Sequence, residues 1–232
     1  MILVIASRHD SAAQALVESW KPRAEVLVMD CSDLCTAGWR IYAGRDRPSV
    51  AVAEGKPVAE DQIDGVLTLI PCVSEADLTQ IVPSERGYAA AEMQAFLIYW
   101  LSRLRCPVLN RPSSMSVAGP NWRSEQWHHV AARIGMPVRP LVTPSTIPAE
   151  RVPEAGDTVV TVVGKRIFGA DSPILRRRAE LLADTAGAAL LEVHFSGDDA
   201  DAEFTGASPW PDFSDAEVGE AIFAELCERP TA

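Results

Sequence analysis

The stretch TVVTVVGKRIFGADSPILRRRAELLADTAGAALLEVHFSGDDADAEFTGASPWPDF, Thr158 to Phe213, holds the most regular succession of element signals in the chain. Two β-rich runs, Thr158 to Val163 and Arg166 to Ala170, flank Gly164-Lys165 and read as a hairpin. An apolar-periodic segment from Leu175 to Ala186 follows, with Leu181 and Leu182 on one face and Gly187 placed as a helix stop. Two further strand-like runs, Ala189 to Phe195 and Glu203 to Gly206, end at the proline-rich Ser208-Pro209-Trp210-Pro211. Hairpin, helix and two strands make an α+β half.

Upstream, the periodicity changes. Residues Ile2 to Ala6 form a continuous apolar run, the mark of a strand covered on both faces. Asp10 or Ser11 caps a helix that Pro22 ends, and Glu25 to Met29 supply a second strand, completing a β-α-β unit. Pieces at Arg40 to Ala43 and Ser49 to Ala53, with a Glu54-Gly55-Lys56 turn, predict a small antiparallel flap. Val66 to Ile70 is the third core strand, and Cys72 to Arg86 a long irregular loop of the kind that often carries binding residues. Gly87 to Arg105 is a helix whose apolar residues cover most of its circumference, so it is deeply buried or meets a second copy; a homodimer is expected. The strand Pro107 to Asn110 closes this α/β half. A short helical piece near Ser113 to Ala118, a helix from Asn121 to Ile134 and a strand from Met136 to Val142 lead into the quoted stretch.

The quoted order resembles the last part of an ATP-grasp domain, the fold of carboxylate–amine ligases such as the RimK-like peptide ligases. Asn110-Arg111-Pro112, a polar gap, a helix and Ala131-Ala132-Arg133-Ile134-Gly135-Met136-Pro137-Val138 before a strand are similar to that family too. The resemblance implies an α/β protein in two parts. Residues 1–110 would be a Rossmann-like pre-ATP-grasp domain with a parallel sheet, and 111–232 a truncated ATP-grasp domain.

The same resemblance implies a loss of chemistry. Such ligases surround a transferred phosphoryl group with lysines and magnesium, because charge stabilisation supplies most of the rate. One family lysine falls where this chain has Arg123, and a second belongs to a small lid subdomain. Between Thr143 and Asp157 the chain has only PSTIPAERVPEAG, too short and proline-rich for that lid, and no lysine stands between Lys56 and Lys165. The family's metal-binding acids fall on His194, Gly206 and Ser208, with Asp201 or Glu203 as substitutes if the register slips. The expectation is a shortened, degenerate ATP-grasp protein with no catalytic residues, no metal and no cofactor, binding a peptide, an amino-acid-like ligand or a partner enzyme. The alternative is a minimal ligase using ATP and magnesium.

Composition narrows the partners. The formal net charge is −11, and residues 192–232 hold eleven acidic and one basic side chain, which argues against nucleic acid. No apolar run reaches the roughly 20 residues that span a bilayer, and MILVIASRHD reads as a first strand and not a signal peptide. Five scattered cysteines suit reduced thiols, so a cytoplasmic protein without membrane contact is expected.

Candidate ligand-binding residues follow from position and charge. Arg8 and His9 come directly after the first strand, where open α/β sheets bind ligands. Arg86 at the helix entrance and Arg111 after the fourth strand are placed to converge on an anionic group, with Asn110 ending that strand and Arg123 opening the later helix. His128 and His129 face different directions and read as structural. Arg176-Arg177-Arg178 open a helix at its unfavourable end for cations, which points to the acidic C-terminal segment as their partner.

Overall fold

The computed structural model describes residues 1–42, 47–141 and 157–228. The segment expected to lack a lid, 142–156, lies outside the described residues, as does Ala43 of the expected flap. The described residues form two compact units: Met1–Gly119 with Asp212–Ala232, and Pro120–Pro211.

The first unit is built on a parallel sheet. Strands β1 (Ile2–Ile5), β2 (Val26–Met29), β5 (Gly65–Thr68) and β6 (Val108–Leu109) lie in the order β2-β1-β5-β6, with Ile2 opposite both Val26 and Gly65. All four residues of β1 are buried, as its unbroken apolar run requires. Helix α1 (Ser11–Trp20) starts where the Asp10 carboxylate accepts the N–H groups of Ala12 and Ala13, both at 3.0 Å. Between β2 and β5, strands β3 (Val50–Ala53) and β4 (Lys56–Ala59) form an antiparallel flap about the expected turn, and of the piece expected from Arg40 only a single bridge, Arg40 to Val50, is seen among the described residues. Their turn puts Glu54 and Gly55 at φ 50° and 72°, the left-handed conformation tight hairpins need.

One buried carboxylate ties that flap to the sheet. Asp33, 6% exposed, accepts the N–H groups of Asp30 (3.1 Å), Glu54 (3.2 Å) and Gly55 (2.8 Å). The Glu54 carboxylate in turn accepts the N–H of Val28 at 3.2 Å, covering part of the outer edge of β2.

Helix α2 (Arg86–Arg103) packs into the core with Ala90, Leu97, Trp100 and Leu101. Trp39 stands edge-on to both Phe96 and Trp100, with ring centroids at 5.0 and 5.4 Å, so the flap side accounts for apolar residues beyond the sheet-facing stripe. Tyr88 and Tyr99 remain exposed. A second copy is not needed to cover most of this helix.

An element that the sequence reading omitted completes the unit. Helix α5 (Ala216–Cys227) is capped by Asp215 and buries Val218, Ala221, Ile222 and Leu226. It meets β5 so closely that a Cβ on Gly65 would lie 2.5 Å from the Leu226 carbonyl oxygen. Phe223 packs on Trp20 with centroids 5.6 Å apart, and Arg23 lies over Phe223 while pairing with Glu220.

In the second unit, β7 (Thr158–Val163), β8 (Arg166–Gly169), β9 (Leu190–Phe195) and β10 (Phe204–Ser208) form an antiparallel sheet in the order β10-β9-β7-β8. Helices α3 (Ser124–Arg133) and α4 (Pro173–Ala186) bury Trp127, Leu175 and Leu182 with Val160, Val193, Phe195 and Phe204. Gly187, at φ 65°, ends α4 as expected. The buried stripe of α4 runs through Leu175, Ala179, Leu182 and Ala183, with Leu181 only partly covered.

Three smaller expectations need correction. Residues 113–118 form turns, organised by the Ser113 hydroxyl accepting from the N–H groups of Met115 and Ser116, and not a helix. The described part of Met136 to Val142 contributes a single parallel bridge, Val138 to Phe204, because Pro137 and Pro140 interrupt the ladder. The three arginines of α4 use other partners than acidic side chains of the C-terminal segment. Arg176 donates to the Ile167 carbonyl, Arg177 pairs with Glu180, and Arg178 donates to the Ala202 carbonyl at 3.3 Å.

Candidate functional site

The parallel order reverses direction between β1 and β5: the chain leaves β1 towards β2 and returns on the other side to β5 and β6. At such a point the connections diverge and open a crevice beyond the carboxyl ends of the strands. Here the crevice is a pocket of about 570 Å³. Ser7, Arg8 and His9 line it after β1, Asp30 to Ser32 after β2, and Ile70 after β5. The loop residues Ala76, Asp77, Thr79 and Gln80 form the far wall.

Arg8 and Asp30 divide this pocket from a neighbouring one of about 450 Å³ that they also line. The Arg8 guanidinium meets the Asp30 carboxylate and the Ser32 hydroxyl, each at 2.6 Å. Ser32 also donates to Asp30 through its N–H (2.7 Å) and its hydroxyl (2.5 Å). Burial pushes the Asp30 carboxyl up, but the Ser32 hydrogen bonds and the Arg8 charge outweigh it and hold it below its ordinary value of 3.8. Cys31 is pushed up to about 12, by burial first and then by the Asp77 carboxylate, so it remains a thiol and not a nucleophile.

The far wall is braced. Arg86 does not line the pocket; it donates to the carbonyls of Ile81 (2.9 Å) and Thr79 (3.1 Å), fixing the loop that does. Leu78, fully buried, anchors the same loop in the core, and Ser74 caps its 3₁₀ turn through the Ala76 N–H.

The other expected ligand-binding residues are placed elsewhere. Arg111 turns back to the carbonyls of Leu104 (3.3 Å) and Cys106 (3.2 Å), before β6 and away from the strand's carboxyl end. Asn110 is 1% exposed, and Gly119 approaches so closely that a Cβ there would sit 2.5 Å from the Asn110 Cβ. Arg123 belongs to the second unit and precedes α3, its N–H donating to Gln126 at 3.0 Å. Of the six, Arg8 and His9 line this crevice together. His128 bonds to the Ser124 carbonyl at 2.8 Å and packs edge-on against Phe204, the structural role expected of it.

The second unit has a polar sheet face opposite its helices. Strand alternation puts Thr161, Glu192 and His194 there, with Ser208 and Gly206 opposite Glu192 and His194 on β10. The register sets Gly206 opposite His194 and Ser208 opposite Glu192, so His194, Gly206 and Ser208 share one face. It adds Glu192, two positions from His194 on the same face, with His194 Nε2 2.9 Å from its carboxylate. Glu203 reaches Arg139 at 3.7 Å and substitutes for nothing on this face. Among the described residues no group of three His, Cys, Asp or Glu side chains is arranged to hold a metal ion. Magnesium carried by a nucleotide keeps most of its waters and needs one or two carboxylates besides phosphate. Glu192 fits that need as a single ligand.

Solved structures share this architecture. The macrocyclase MdnC bound with precursor peptide MdnA from Microcystis aeruginosa MRC aligns with a TM-score of 0.73 at 12% identity, covering 98% of this chain and 99% of that one. A RiPP-associated ATP-grasp ligase of Chryseobacterium gregarium, in complex with ADP and a leader and core peptide, gives 0.65 at 12% identity over 97% and 96% of the two chains. The ATP-grasp ligase PsnB with minimal precursor, Mg and ADP gives 0.63 at 15% identity over 98% of each. No family model matches the chain, and no curated protein does. The chain shares the fold of these ATP-grasp ligases.

These neighbours correct one expectation from the sequence. The assignment of no cofactor does not stand, because ligases of this fold have been solved with ADP, with Mg and ADP, and with AMPPNP. Among the described residues no helix is long and apolar enough to cross a membrane.

Proposed function

We propose that this chain is a peptide-binding protein of the ATP-grasp fold that does not itself complete a carboxylate–amine ligation. The peptide half of the reading is supported by the neighbours, of which MdnC, PsnB and the Chryseobacterium gregarium ligase are complexes with precursor or leader and core peptides. The non-ligating half rests on one observation: among the described residues, the strands of the antiparallel sheet carry a single carboxylate, Glu192, which lies beside His194. Forming an acyl phosphate requires concentrated positive charge around the transferred group. A nucleotide held through Glu192 is compatible with this proposal, which concerns the chemical step.

The test combines the full chain with Mg-ATP and a peptide bearing both glutamate and lysine. Peptide binding by calorimetry, with peptide mass unchanged and no peptide-dependent ADP release, is the expected result. Loss of one water from the peptide with stoichiometric ADP would establish a minimal ligase instead.

A further inference from the structure

We propose that the crevice beyond β1 and β5 is a receptor for a primary ammonium group on a peptide, held by Asp77; this rests on the peptide-binding reading. Besides the His9 imidazole, three charged side chains line the crevice: Arg8, Asp30 and Asp77. Asp30 is fully engaged: one oxygen takes two bonds from Ser32 and the other takes Arg8. Arg8 divides its guanidinium between Asp30 and the Ser32 hydroxyl. Those two charges cancel across 2.6 Å.

Asp77 lines the same pocket on equal terms but has no such partner. Its carboxylate receives only the Cys31 thiol, at 3.8 Å, among the hydrogen bonds of the described residues. A thiol is a weak donor and carries no charge here. The crevice therefore keeps one uncompensated carboxylate, and the favoured guest is a cation with several N–H donors.

The walls narrow the guest further. Arg86 and Leu78 hold the Asp77 loop in place, so the carboxylate is pre-positioned and little ordering is left to binding. Gln80 and Ser7 offer polar groups of the kind a peptide backbone pairs with, and Ile70 an apolar surface. A volume of about 570 Å³ exceeds what an ammonium group alone fills and accommodates the residues that carry it. An α-amino group and a lysine side chain share this chemistry.

Three probes separate the sources: trialanine, N-acetyl-trialanine, and N-acetyl-Ala-Lys-Ala amide. Each is titrated into the isotope-labelled full chain while backbone amides are followed by NMR. At least one amine-bearing probe is expected to shift Ser7, Ile70 and Gln80, and to bind about tenfold or more tightly than N-acetyl-trialanine, the loss typical of one charge-assisted contact. Whichever amine probe binds identifies the source. Asp77→Asn is expected to remove that preference without moving the melting temperature, because Asp77 is exposed and outside the core.

Equal affinity for the acetylated probe, an unaltered Asp77→Asn variant, or no shift at these three residues up to about 10 mM would overturn the proposal. Shifts confined to residues 120–211 would also overturn it while leaving peptide binding intact. The ligation assay reads the chemical claim separately.

Discussion

The two units of this chain use buried and half-buried carboxylates to opposite ends. In the first, Asp33 accepts three backbone N–H groups and joins the end of β2 to the flap turn. In the second, Glu192 lies beside the imidazole of His194, two residues along the same strand. An acceptor surrounded by amides is structural, because no water can replace what it takes away. An acceptor facing a titratable ring is replaceable. The same residue chemistry thus ties backbone together in one unit and pairs side chains on a strand in the other.

Replacing Asp33 is the severest test of that contrast. Asp33→Ala strands three N–H groups and should cost about 3 kcal/mol in urea unfolding; a loss below about 1 kcal/mol would mean that water satisfies them. Gly65→Ala comes next. Its Cβ would enter the space held by the Leu226 carbonyl, and overpacking of this kind costs about 2 kcal/mol. A neutral result would show that α5 shifts freely.

Acid separates Asp30 from its neighbours. Its folded carboxyl titrates below 3.8, so its contribution is complete above that ordinary value and disappears as pH falls through the lower folded value. Asp30→Asn should remove this part of the acid sensitivity, an effect under about 1 kcal/mol because the Arg8 side chain is 57% exposed. Stability curves of equal slope for variant and wild type below pH 4 would break the assignment. The smallest effect belongs to Glu192→Gln, expected within about 0.5 kcal/mol of wild type since an amide can still accept from His194. A loss as large as that of Asp33→Ala would erase the contrast between the units.

Much of the frame was legible because local chemistry and global fold agree there. The ILVI run, the Asp10 cap, the Glu54-Gly55 turn, the Gly164-Lys165 hairpin and the Gly187 stop each state their role within a few residues. Arg8 and His9 were legible for a related reason, since strand ends in such sheets mark a crevice. Asp33 was not: its partners Glu54 and Gly55 lie 21 and 22 residues away and offer main-chain groups, which no side-chain pattern reveals. The carbonyl partners of Arg86 and Arg111 were hidden in the same way, so both guanidiniums looked available for a ligand.

Helix α5 was missed for a different reason. Val218, Ile222 and Leu226 recur every four residues, a clear apolar stripe, but the acidic neighbours Glu217, Glu220 and Glu225 drew attention to charge in this segment and away from that stripe. Charge on the outer face of an amphipathic helix carries no information about its inner one. The acidic stretch from Asp198 to Glu203 shows the converse, since its described contacts to α4 run through the Ala202 carbonyl and not through a carboxylate.

Because α5 packs back on strands made at the beginning of the chain, synthesis and folding of the first unit run out of step. A ribosome has produced β1, β2, β5 and β6 long before residues 212–228 emerge, and through that interval the surface around Gly65 and Leu16 stays wet. The intervening 120–211 can gather its own core while its predecessor waits. Nascent chains halted just short of Ala216 should therefore be cleaved by protease in their oldest segment while the younger one resists.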